Sequence, residues 1–222
     1  MFEIGGRAAE PLDIGDMKTR EVISALCLLL MAAVGQAPAQ STVGWSPDRF
    51  GSSRAGARVR IDVFSDYECP ACRTFYLQTV RNVLETYGRD NRVEIVYHDF
   101  PLQMHRYARE AARYALAGRR LGADQWKALT DALYFRQAEW SSTGRIDMVA
   151  SEALSPRDYS RLREFLNDPS IDEALEKELA LGRALQVNST PTFFIAANGL
   201  SQRIVGGVPL TVLASYLNRL LK

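Results

Sequence analysis

The sequence predicts one α/β domain behind a leader, and three stretches carry that prediction. A β-branched, alternating run at 58–64, an amphipathic helix and a second apolar run at 93–97 form a strand–helix–strand unit. The middle of the chain reads as helix throughout. The end returns to two short strands about Asn198-Gly199 and a last amphipathic helix.

The 222 residues, 47% of them hydrophobic, suffice for one good core with an appended subdomain. The formal net charge of +1 gives no basic field, so a nucleic-acid partner is not expected. No apolar run reaches the roughly 18 residues that a membrane-spanning helix needs.

Residues 22–34, "VISALCLLLMAAV", follow Lys18 and Arg20 and precede the small-residue site Ala37-Pro38-Ala39. A positive region, an apolar core and such a site form a secretory signal peptide. Residues 1–16 are acidic at Glu3, Glu10, Asp13 and Asp16, so translation is expected to begin at Met17, with residues 1–39 as the leader. Cys27 leaves with the leader, and Cys69 and Cys72 are then the only cysteines, in an oxidising compartment.

Residues 40–58 read as an irregular lead-in. "RVRIDVF" (58–64) is the first strand. The helix after it sets Tyr76, Val80, Val83 and Tyr87 on one face and stops at Gly88. "VEIVY" (93–97) is the second strand. Ala108, Ala112 and Ala115 form a small-residue stripe suited to close helix packing, and Trp126, Leu129 and Leu133 mark another amphipathic segment. Ser155-Pro156 opens a further helix with Asp158 in its first turn. Ser170 with Glu173 reads as a capping box ahead of Ile171, Leu175 and Leu179. "TFFIA" (192–196), a turn at Asn198-Gly199 and "RIV" (203–205) form a hairpin. The last helix buries Leu210, Leu213, Leu217 and Leu220.

The chemistry centres on "ECPAC" (68–72). A zinc site needs four ligands, and one cysteine pair with His98 and His105 does not have their spacing. A structural disulfide over so small a loop gains little chain entropy. A redox pair fits best. With Pro70 as first helical residue, Cys69 is the N-cap, where early helix amides and the helix dipole favour a thiolate. Cys72, one turn in, is the protected, resolving thiol. His98 and His105 read as structural or solvated side chains.

The order of elements and four stretches carry a family likeness: "FSDYECPACRTFY" (64–76), "VYHDFPLQMHRYAREAARYA" (96–115), "QVNSTPTFFI" (186–195) and "GGVPLTVL" (206–213). The chain resembles the DsbA-like family of secreted thiol–disulfide oxidoreductases, in the thioredoxin superfamily. That resemblance implies a thioredoxin fold over 59–222 with a helical insertion at about 103–170. It implies catalytic Cys69 and Cys72, Pro70 and Ala71 at the active-site helix start, and a cis Thr190-Pro191 peptide that binds substrate. The expected partners are exported clients with free thiols and a quinone-linked membrane protein that reoxidises the pair. A monomer is expected, with no cofactor beyond the two cysteines and no metal.

Two departures from the family pattern matter. Ala71 stands where strong oxidants often carry His, so acidification of Cys69 is expected to come mainly from the helix. Val63 stands where relatives place a buried acid, and Asp66 and Glu68 nearby are expected to oppose the thiolate. The leading reading is an exported disulfide donor. Reductase or isomerase chemistry on the same fold, or a non-enzymatic module that holds unfolded chains, are the alternatives. Family isomerases usually carry a separate dimerisation domain, for which 40–58 is short.

Overall fold

The computed structural model describes residues 57–87 and 92–222. The expected leader, nearly all of the lead-in and the helix stop at Gly88 lie outside the described residues. Four strands form one sheet: β1 Val59–Ser65, β2 Val93–Asp99, β3 Thr192–Ala197 and β4 Leu200–Val205, in the order β2-β1-β3-β4. β1 and β2 run parallel, with Val63 opposite Tyr97 and Ser65 opposite Asp99. β3 runs antiparallel to both β1 and β4. A parallel pair requires a crossover, and the helical run after Cys69 provides it.

That run comprises α1 Pro70–Phe75, one wide turn at Tyr76–Val80 and α2 Arg81–Tyr87. In the wide turn the Arg81 N–H returns to the Tyr76 carbonyl, one residue further back than in an α-helix. Tyr76, Val80, Val83 and Tyr87 are all buried, as their spacing predicts. Between β2 and β3 lie α3 Ala108–Leu121, α4 Ala123–Phe135, α5 Gln137–Thr143, α6 Ile146–Ala153, α7 Pro156–Leu166 and α8 Ser170–Ala184. The chain closes with α9 Leu210–Leu220.

Every residue of β1 is buried, which alternation alone did not predict. Val59, Ile61 and Val63 join the main core with Phe193, Ile195, Leu213 and Leu217. The alternate residue Phe64 joins a second cluster with Phe100, Leu185, Val187 and Phe194. Asp62, on the same strand, is fully buried because it is paired. Arg60 meets it twice at 2.8 Å, and His98 Nε2 lies 2.9 Å from its Oδ1. His98 also stacks on Phe64, with ring centroids 4.6 Å apart. It is a structural histidine of the sheet.

The helical block packs as its small residues predict. Ala108, Ala112 and Ala115 are buried, and α3 contacts α4, α7 and α8. Ser155 caps α7 by accepting from the Asp158 N–H at 3.1 Å. The expected capping box at Ser170 does not form. Asp168 takes the capping role instead, accepting from the Ser170 N–H at 2.9 Å and its hydroxyl at 2.6 Å. A carboxylate at a helix start is favoured over a hydroxyl by the helix dipole. The hairpin turn has Asn198 and Gly199 at φ 52° and 74°, both in the left-handed region that such a turn requires.

Candidate active site

Cys69 ends the loop after β1 and is the N-cap of α1, extended at φ −74° and ψ 121°, with Pro70 as the first helical residue. Proline suits that position because its missing N–H would have no helical partner there. Cys69 retains 7% of its surface and Cys72 none, and both are free thiols. The Cys69 thiol donates to the Thr190 carbonyl at 3.4 Å, and the Thr190-Pro191 peptide is cis. The fold thus brings together the residues singled out in sequence: Cys69, Pro70, Ala71 and Cys72 from one segment, Thr190 and Pro191 from another.

The two thiols are electrostatically opposite. Cys69 is lowered from about 9 to about 6. The largest cause is the hydrogen bond with the Cys72 thiol. Burial opposes it, and the Cys72 amide, the Thr190 side chain and the Ala71 amide add to the lowering. All of these groups but Thr190 lie in the first turn of α1, and Ala71 adds only its amide. Cys72 moves the other way. Burial pushes it well above its usual value, and its hydrogen bond and charge interaction with Cys69 push further.

Asp66 and Glu68 hold contacts of their own. The Asp66 carboxylate accepts from the Glu68 N–H at 2.7 Å and the Leu102 N–H at 2.8 Å, and meets His105 Nδ1 at 2.7 Å. The Glu68 carboxylate accepts from the Tyr107 N–H at 2.6 Å. These contacts fasten the active-site loop to the segment after β2. Burial lowers the His105 pKa, but the hydrogen bond and charge of Asp66, with the charges of Cys69 and Glu68, outweigh it and raise the pKa overall. His105, set aside in the sequence reading, therefore belongs to the surroundings of Cys69. Its link to Asp66 spans 39 positions, and no local spacing signals it.

The helical block reaches into the site from behind. Gln137, buried on α5, donates to the carbonyls of Tyr67 at 2.7 Å and Cys69 at 3.0 Å. Arg73 Nε donates to the Tyr134 carbonyl at 2.9 Å, and the Tyr76 hydroxyl to Asp131 at 2.8 Å. Ser65 and Tyr134 share a 2.8 Å hydrogen bond within the same buried region as Cys72. Deeper lies Asp99, fully buried at the end of β2. Burial pushes its carboxyl up to about 8, against the pull of Arg119 at 3.0 Å. Val63 is indeed apolar, but a buried acid is present one strand away.

With this geometry in view, the comparisons with known proteins are specific. The family model described as thioredoxin matches residues 50–203, well over half of the chain. The chain belongs to the thioredoxin family. It is 24% identical over 149 residues to the probable disulfide bond formation protein D of Bacillus cereus, spanning 64% of this chain and 67% of that protein. The solved structure of Pseudomonas aeruginosa DsbA2 is 26% identical with a TM-score of 0.59, over 76% of this chain and 91% of that one. A thioredoxin-like oxidoreductase from Silicibacter pomeroyi is 25% identical with a TM-score of 0.60, over 76% and 89%. The fold is the thioredoxin fold with inserted helices, and the chain is a DsbA-like thiol:disulfide oxidoreductase.

Proposed function

We propose that this oxidoreductase is an exported disulfide donor, in which Cys69 and Cys72 are the catalytic pair and Thr190 and Pro191 hold the client. The observation that carries the reading is the asymmetry of the pair: Cys69 at a helix start with its pKa lowered to about 6, Cys72 fully buried and raised. A sulfur with a low pKa is a good leaving group and a stable thiolate, which favours giving the disulfide away.

In the first step a client thiolate attacks Cys69 Sγ of the oxidised pair. The Cys69–Cys72 bond breaks, a client–Cys69 bond forms, and Cys72 leaves and takes up a proton. In the second step another client thiolate attacks the client sulfur of that mixed disulfide. A client disulfide forms and Cys69 leaves as a thiolate. Two client thiols are oxidised and one protein disulfide is reduced. The Thr190 carbonyl, facing Cys69, offers an acceptor to an extended client main chain and holds the client sulfur in line.

The names of the relatives support formation over reduction, since one is a probable disulfide bond formation protein. The wider reading has Met17 as the start, cleavage after Ala39, work in the periplasm or outside the cell as a monomer, and reoxidation by a quinone-linked membrane protein. Equilibrating the Cys69–Cys72 pair with a glutathione buffer tests the direction. The expected outcome is a pair more oxidising than glutathione; a potential near the strongly reducing end would reject donation and favour a reductase.

A further inference from the structure

A cavity of about 660 Å³ opens between the loop after β2, α8 and the segment that leads to Thr190. Its place relative to the reacting sulfur follows from two of its walls. His105 forms one, and its Asp66 partner accepts the Cys69 N–H through its main-chain carbonyl at 3.2 Å. Asn188 forms the other, two residues ahead of the Thr190 carbonyl that takes the Cys69 thiol. An extended chain advances about 3.3 Å per residue. A client strand lying along 188–190 with its cysteine at Cys69 therefore sets residues two or three positions away over this cavity.

The lining has a sign. Arg106, Arg109 and Arg183 face one carboxylate, Glu176. Glu176 is already held by Arg109 at 2.8 Å and lies 3.9 Å from Arg183, and Arg109 also meets Asp172 at 3.5 Å, which leaves the excess charge on Arg106 and Arg183. Arg106 is exposed, with its guanidinium over the Tyr107 ring at 5.2 Å and no carboxylate partner among the described residues. Leu102, Leu179 and Val187 give the cavity an apolar floor. An apolar floor beneath excess guanidinium suits a side chain with a methylene stem and a carboxylate end.

We propose that this cavity is a specificity subsite for an acidic side chain, glutamate above all, two or three residues from the client cysteine, with Arg106 and Arg183 receiving its carboxylate. The proposal rests on client thiol exchange at Cys69 and deepens it. The volume falls in the range of small-ligand sites, and Asn188 at its edge precedes by two residues the Thr190 carbonyl that faces Cys69.

The test uses the oxidised full chain and synthetic peptides with one cysteine, flanked at the second and third positions by Glu, Gln or Lys. The rate of exchange is read for each, and the Glu-to-Gln ratio is compared between wild type and the double variant R106Q/R183Q. That ratio of ratios cancels each peptide's own thiol acidity. The expected result is a Glu peptide about five-fold faster than the Gln peptide at low salt, as one or two partly exposed ion pairs supply. The Lys peptide is slowest, and the preference is lost in the double variant. R157Q, which removes a charge from α7, keeps the preference. Equal rates for Glu and Gln peptides, or a preference that survives R106Q/R183Q or falls as far in R157Q, overturn the subsite while exchange itself stands. Failure of every peptide to exchange overturns the underlying reading as well.

Discussion

At Cys69, acidity comes from hydrogen bonds made by neighbours and not from a nearby positive residue in the cysteine loop. Ala71 contributes its amide alone. The largest contribution is the Cys72 thiol, so Cys72→Ala is expected to raise the Cys69 pKa from about 6 toward the ordinary thiol value near 9. Thiolate absorbance against pH reads this directly, and an unchanged midpoint in C72A would refute the thiol–thiol hydrogen bond as the main cause. Thr190 makes a second, smaller contribution. Its hydroxyl is buried, and its side chain pulls both cysteines down. Thr190→Val keeps the shape and removes the donor. The Cys69 midpoint should rise, by less than in C72A, with iodoacetamide labelling at pH 6 slowed accordingly. A rise in T190V larger than in C72A would invert the assignment.

The helical block does more than enlarge the domain, because α4 and α5 grip the active-site segment. Gln137 is the clearest instance: one buried amide satisfies the carbonyls of both Tyr67 and Cys69. Gln137→Leu preserves volume and strands two buried acceptors, at a cost of about 1–3 kcal/mol. Urea unfolding of Q137L should show that loss and stopped-flow exchange a slower reaction at Cys69; wild-type values in both would mean that the loop is held by other contacts. Such contacts also mark where the sequence is silent. The strands, the helix start at Cys69-Pro70 and the small-residue face of α3 are legible because their causes are local: alternation, a proline at the first turn, alanines four and three apart. The wide turn at Tyr76–Val80 is held by Asp131 for the Tyr76 hydroxyl and the Val208 carbonyl for Thr79, 55 and 129 positions away. No local pattern encodes it. His105 and Asp99 were missed for the same reason, and Ser170 misled because Asp168, two residues earlier, competes better for the helix start.

For the molecule as a whole, the shifted thiols couple redox state to stability. Only the reduced protein has a thiolate at Cys69, so the pH dependence of interest is the stability of the reduced form relative to the oxidised form. In the unfolded chain a cysteine titrates near about 8.5. In the folded reduced chain Cys69 titrates at about 6. A depressed pKa stabilises the folded state fully above the unfolded value, and the gain disappears as pH falls through the folded value. Cys72 has the opposite sign, because its raised pKa keeps it protonated in the folded chain above pH 8.5, where the unfolded thiol ionises. The advantage of the reduced form should therefore grow from pH 6 to about 8.5 and decline above it, where only the unfolded Cys72 ionises. The disulfide's constraint on the unfolded chain is independent of pH and small for so short a loop, so it offsets the difference without altering its slope. Thermal melts of both redox forms at pH 5, 7 and 8.5 measure it, as the Tm of the reduced protein minus that of the oxidised protein. A difference that rises with pH across this window makes the pair more oxidising, relative to an ordinary unfolded dithiol, at neutral pH than in acid, in line with disulfide donation. A flat difference, or one that grows toward pH 5, would show that the Cys69 thiolate does not hold the reduced fold together.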